Sequence, residues 1–260
     1  MTVRQRRSTR RALLALGGLT LLSACATDRP ATSGTTAATP SPSSPPAPPP
    51  PSSPAPVGIP VQRKPRYVVP ASAAHGTKVV ALTLDDGPDP AYTPEVLKIL
   101  RKHDVTATFF VIGRSAAAHP DVIRSIVADG HAVGTHTWSH ANLRRLPAGK
   151  VRTEVGRAVE AVAATTGRTP DLFRAPYGNW SRTVFEECAA MGQTSIAWDV
   201  DPRDWDNPGS AHISSEVLDQ VGNRSIVLAH DGGGDRSQTV RALRHFVPVL
   251  IDSGYRFVGV

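Results

Sequence analysis

From residue 78 to residue 260, short apolar runs alternate with amphipathic stretches, and this alternation restricts the fold more than any other feature of the chain. The apolar runs at 79–84, 107–112, 131–135, 172–175, 195–200, 226–230 and 256–260 have the length of strands. Between them, 93–102, 120–128, 148–165, 182–191, 214–221 and 238–252 have helical spacing. Gly130, Gly167, Gly192, Gly222 and Gly254 follow helix candidates, where a left-handed residue without a Cβ ends a helix cheaply. Strands and helices in alternation predict an α/β fold with a mainly parallel sheet and right-handed crossovers. Seven strands in so short a span fit a distorted (β/α)7 barrel, with an open doubly wound sheet as the alternative.

The first part of the chain has a different composition. Arg4, Arg6, Arg7, Arg10 and Arg11 precede an apolar core over 12–22, and Leu22-Ser23-Ala24-Cys25 has the form of a bacterial lipobox. This core is too short to span a bilayer of about 30 Å, so residues 1–25 read as an export signal, with Cys25 the residue that would carry lipid. The arginine pairs also allow twin-arginine export. Residues 26–66 are rich in Pro, Ser and Thr and predict a disordered, partly polyproline tether ahead of a folded domain at 67–260. The expected location is the outer face of the cell membrane, lipid-anchored and reaching into the cell wall.

The formal net charge of +7 is unevenly placed: residues 1–66 carry nine Lys or Arg and one Asp, whereas 67–260 carry twenty against twenty-one Asp or Glu. The folded part therefore lacks the basic field that nucleic-acid binding needs, and no feature of the sequence points to a protein partner. With Cys25 lipidated, Cys188 has no pairing partner and reads as a buried, inert thiol.

The reactive side chains cluster at strand ends. Asp85-Asp86, His136, Arg174, Asp201 and His230 each stand at the carboxyl end of a strand candidate, the rim on which barrel enzymes build their sites. His136 and His140, four apart, could share one helical face, and with one Asp they would leave a metal with an open coordination position. His75, His103, His119, His131, His212 and His245 have no charged cluster around them and read as surface, edge or capping residues. The run Gly232-Gly233-Gly234 lacks the pattern of a phosphate loop and reads as a flexible turn that lets His230 face a groove.

Five segments, in order, are Thr83-Leu84-Asp85-Asp86-Gly87-Pro88, His136-Thr137-Trp138-Ser139-His140, Arg174-Ala175-Pro176-Tyr177, Asp201-Pro202-Arg203-Asp204-Trp205 and Leu228-Ala229-His230-Asp231. This set resembles the motifs of the polysaccharide deacetylases, the NodB-homology domain of carbohydrate esterase family four. One departure is Leu84, where an aromatic residue is common.

The resemblance implies a NodB-like fold and removal of N-acetyl groups from an N-acetylglucosamine-containing polysaccharide, peptidoglycan first. It implies that Asp86, His136 and His140 hold one divalent metal, zinc first, with cobalt, nickel or iron also compatible. The attacking water would be metal-bound, Asp85 would take its proton, and Arg174 would pair with Asp85 and keep it ionised. The backbone N–H of Tyr177 would hold the oxyanion, since Pro176 has none to offer. His230 would protonate the leaving amine, its pKa raised by a carboxylate, Asp204 first and Asp201 second. Tyr177, Pro176, Trp205 and Leu228 are the expected substrate-binding residues.

Overall fold

The computed structural model describes residues 58–74 and 76–260. The export signal, Cys25, the tether up to residue 57, and His75 lie outside these residues.

β1 (Lys78–Asp85) is the central strand, buried from its second residue onward. Its parallel neighbours are β2 (Thr108–Val111), β6 (Ser225–His230) and, at its start, β7 (Tyr255–Phe257). From β2 the sheet continues through β3 (Ala132–Thr135), β4 (Leu172–Phe173) and β5 (Thr194–Ser195), again parallel throughout. The helices between them are α1 (Thr93–Lys102), α2 (Gly113–Ala118), α3 (Pro120–Ala128), α4 (Ala148–Thr166), α5 (Arg182–Ala190), α6 (Ser210–Gln220) and α7 (Ser237–Asp252). The sheet curls into a half-barrel covered by these helices, as the alternation of the sequence predicts.

The period of a strand explains what faces where. Val80, Leu82 and Leu84 join the layer packed under the helices, with Phe109, Val111, Leu100 and Phe246. Val79 and Ala81 instead join Phe110, Ile196 and Ile226 on the inner face of the sheet. Thr83 and Asp85 share the parity of Val79 and Ala81, so the inner face ends in a carboxylate. Asp85 stands opposite His230 in the β1–β6 register.

Several expected elements differ in extent. The strand expected at 195–200 makes only a two-residue ladder with β4, because the chain then crosses to β6. There Val200 bridges Val227, and Leu228 N–H donates to Val200 O at 2.9 Å. α2 has no counterpart in the expectations, since Gly-Arg-Ser-Ala-Ala-Ala carries no apolar stripe. Its first residue must be glycine, because a Cβ on Gly113 would lie 2.8 Å from Ala158 Cα and 2.9 Å from Trp138 Cε3. α6 begins at Ser210 rather than 214, and Gly222 does not end it in a left-handed turn; the positive φ there belongs to Arg224, at 74°.

Described residues ahead of position 67 also pair with the domain. Ile59 N–H donates to Ala189 O at 2.8 Å, and the Gln62 side chain accepts from Ser195 N–H at 2.6 Å. Arg66 bridges Ile196 and Val68 bridges Ser225, so this strap occupies the seam between β5 and β6. Its pairing is through backbone and one amide side chain, which leaves no apolar pattern in the sequence.

Candidate active site

Arg174 follows β4 and is fully buried inside the curled sheet, its guanidinium 4.2 Å from the Phe110 ring centroid. Such a charge persists only with partners on its donors. Nη1 donates to Asp85 Oδ1 at 2.8 Å and to Thr83 Oγ1 at 2.7 Å, and Nη2 donates to Ala197 O at 2.9 Å. Asp85 is 2 % exposed. Burial raises its carboxyl above the ordinary range, and the charges of Arg174 and His230 pull it only part of the way back. A carboxylate in that state is a better proton acceptor near neutral pH than a solvated one.

Strand parity would send Asp86 to the helix-covered face with Leu82 and Leu84, but it leaves the strand with φ of 71° and its carboxylate lies beside His136 and His140 of the β3 loop. His136 and His140 come from that loop, not from a helical face. Thr137 and His140 have φ of 64° and 63°, and the turn is held by Glu154 of α4, which accepts from Ser139 N–H and Oγ at 2.9 Å each. The helical expectation fails because the spacing of two histidines is not itself helical periodicity; the loop is shaped by a residue far along the chain.

Asp86 Oδ1 lies 3.1 Å from His140 Nε2 and 3.6 Å from His136 Nε2. This Oδ1 is buried and carries no hydrogen bond. His136 Nδ1 lies 2.8 Å from Arg174 O, a contact that places the ring proton on Nδ1 and leaves the Nε2 lone pair facing Asp86. Burial pushes the His136 pKa down to about 3, against the attraction of Asp86, so the ring is neutral. One ligand atom from each of Asp86, His136 and His140 lies within 4.8 Å of the others.

His230 ends β6. Its Nδ1 donates to Asp204 Oδ1 at 2.7 Å, and its backbone N–H donates to Asp204 Oδ2 at 2.9 Å. Thr239 Oγ1 adds a donor to Asp204 Oδ2 at 2.7 Å. Burial pulls the imidazole pKa down, Asp204 outweighs it, and the result is a pKa raised to about 9. Burial likewise works to raise Asp204, and His230 holds it below the ordinary carboxylate value. Asp201 is not the partner: its Oδ1 accepts from Arg203 N–H at 2.9 Å and shapes the turn that delivers Asp204.

Asp85, Asp86, His136, His140, Asp201 and His230 share one cleft of about 500 Å³, lined also by Tyr177, Trp198, Trp205 and Leu228. Tyr177 is 64 % exposed, has φ of 62°, and packs edge-on to His140 with ring centroids 4.7 Å apart. Its N–H has no acceptor among the described residues. Pro176 is buried and does not line the cleft; it sets the entry to the Tyr177 turn.

Trp198 and Arg236 also line the cleft, and Thr239 holds Asp204 from behind it. Trp198 has the parity of Ile196 in an apolar run, which is its signal in the sequence. Arg236 donates to Gly232 O, Gly233 O and Asp204 O, and Thr239 Oγ1 donates to Asp204, contacts that no local pattern announces. Asp231, beside His230, is fully buried; burial chiefly, with Asp86 and Asp85, pushes its carboxyl up to about 7. His131 is a core ring packed on Phe109. Burial raises the Cys188 thiol far above its ordinary value, so it is inert.

Residues 72–196 match the polysaccharide deacetylase family. The chain is 44 % identical over 192 residues to a chitooligosaccharide deacetylase of Bradyrhizobium sp. (strain ANU 289), covering 69 % of this chain and 88 % of the relative. It is 38 % identical over 199 residues to a peptidoglycan-N-acetylglucosamine deacetylase of Bacillus cereus, covering 76 % and 93 %. The crystal structure of the Bc1960 peptidoglycan N-acetylglucosamine deacetylase superposes with a TM-score of 0.71 at 32 % identity, covering 75 % of this chain and 90 % of that one. With this coverage on both sides, the chain belongs to the polysaccharide deacetylases of carbohydrate esterase family four, enzymes that remove N-acetyl groups.

Proposed function

We propose that this enzyme is a divalent-metal-dependent N-deacetylase of an N-acetylglucosamine polysaccharide, with peptidoglycan as its first substrate. The observation that carries the reading is the convergence of Asp86, His136 and His140 on one point beside two oppositely tuned groups, Asp85 and His230. The donor set fits a metal: one carboxylate oxygen is buried with no hydrogen bond, and one neutral imidazole has its tautomer set by a carbonyl. Asp86, His136 and His140 would hold zinc or a similar ion, which when bound polarises the acetyl carbonyl and acidifies water.

The chain's own groups supply the rest. Asp85 takes a proton from the attacking water as the new C–O bond forms, and Arg174 holds that carboxylate in place. The free Tyr177 N–H serves the oxyanion, a contact whose loss typically costs about 3–4 kcal/mol. His230, with Nδ1 bound to Asp204, presents Nε2 to the leaving nitrogen and protonates it as the C–N bond breaks, leaving acetate and a free amine. Tyr177 and Trp205, both exposed at the cleft, suit the C–H faces of sugar rings.

In this reading residues 1–25 export the protein, Cys25 carries lipid, and the Pro-rich stretch after it spaces the enzyme from the membrane so that it meets wall polymer. The test is incubation with peptidoglycan, chitin oligomers and acetylxylan, with products identified by mass. N-deacetylated peptidoglycan as the main product is expected; deacetylation of acetylxylan alone would overturn the N-acetyl assignment.

A further inference from the structure

The loop after His230 wraps the backbone and carboxylate of Asp86. Asp231 N–H donates to Asp85 O at 3.1 Å. The Asp231 carboxyl packs against the α-carbon of Gly87, where a Cβ would overlap both of its oxygens. Thr93 Oγ1 donates to Asp231 Oδ2 at 2.5 Å and accepts from Asp89 N–H at 2.8 Å, which ties the far end of the 86–89 turn to the same carboxyl. Gly232 lies against Asp86 O so closely that any Cβ there would overlap it, and a Cβ on Gly233 would be 2.7 Å from Asp86 Oδ2. Asp86 needs such a frame, because a φ of 71° is uncommon for a residue with a side chain and persists only where the surroundings impose it.

Resting on the metal reading of Asp86 given above, we infer that Asp231, Gly232 and Gly233 are positioning residues that cradle the metal-ligating carboxylate. The glycine run is then no flexible turn serving His230 alone. Its bare α-carbons let the loop close on Asp86, and the loop couples the metal-binding turn to the strand that carries the acid.

Gly233 and Gly234 make a matched pair for the test. Both have positive φ, 76° and 146°, so alanine is strained at either. Only Gly233 approaches Asp86; the nearest neighbour of a Cβ on Gly234 is Arg236 Nη2 at 3.4 Å. Cobalt(II) titrated into metal-free full-length protein, followed by its visible absorption and by calorimetry, reads the site without turnover. Gly233→Ala is expected to weaken cobalt binding by about 10–100-fold, as losing a residue that orients a ligand does, and to alter the cobalt spectrum. Gly234→Ala is expected to bind as the wild type does, with both variants melting cooperatively. Equal losses in both variants, or wild-type binding by Gly233→Ala, would overturn the cradle. A wild-type protein that binds no cobalt or zinc would instead remove the metal reading beneath it.

Discussion

Asp85→Asn is expected to lower kcat by about 10²–10⁴-fold, the usual contribution of a positioned general base. The substitution keeps the shape of the side chain and removes its ability to hold a proton. Asp85 is not among the three groups that converge on one point, so metal binding should persist. The variant should also melt earlier. Arg174 is fully buried, and although the asparagine Oδ1 can still accept from Nη1, with Thr83 Oγ1 and Ala197 O as further acceptors, the guanidinium loses its counter-charge. Breaking a buried pair typically costs about 3–5 kcal/mol. Single-turnover kinetics on a folded, metal-loaded variant separate the two effects. A full chemical rate in Asp85→Asn would mean that another group accepts the proton.

Asp204→Asn should act through pH. In the wild type His230 keeps its proton until the pH rises through about 9, so activity that needs the imidazolium falls only beyond that point. The carboxylate of Asp204 is what offsets burial of the ring. Without it only the charges of Asp85 and Asp86 oppose burial, and the His230 pKa falls from about 9. The protonated fraction at about pH 8 then drops, and the alkaline limb of kcat/KM moves to lower pH. Stability follows the same sign. A raised histidine pKa contributes stability that is fully present below about pH 6.5 and is lost as the pH rises through the folded value. The wild type should therefore lose melting temperature between about pH 6.5 and 9, and the variant should lose less over that range. An alkaline limb that stays in place in Asp204→Asn would show that His230 is not the acid or that Asp204 does not tune it.

Much of this site can be read from the chain because strand ends carry it. The run at 79–84 announces β1, and alternation along it sends Asp85 to the inner face with Val79 and Ala81. The helices at 93–102 and 120–128 are bounded by Pro near the start and polar residues at the end, and α1 and α3 span those residues. What could not be read depends on contacts far apart in sequence. The β3 loop takes its shape from Glu154, the choice between Asp201 and Asp204 is made by where the 203–204 turn meets β6, and the 58–69 strap pairs through its backbone. Local spacing carries none of these, since each is a hydrogen bond whose partner lies on another element.

In the proposed function, Asp86, His136 and His140 together bind the ion on which deacetylation depends. The direct measurement is free-amine release from N-acetylglucosamine oligomers by the purified protein, before chelation, after it, and after zinc is returned. Release is expected to be lost on chelation and to recover with zinc, with neither step rescuing His136→Ala. Release at an unchanged rate in the chelated protein would contradict it.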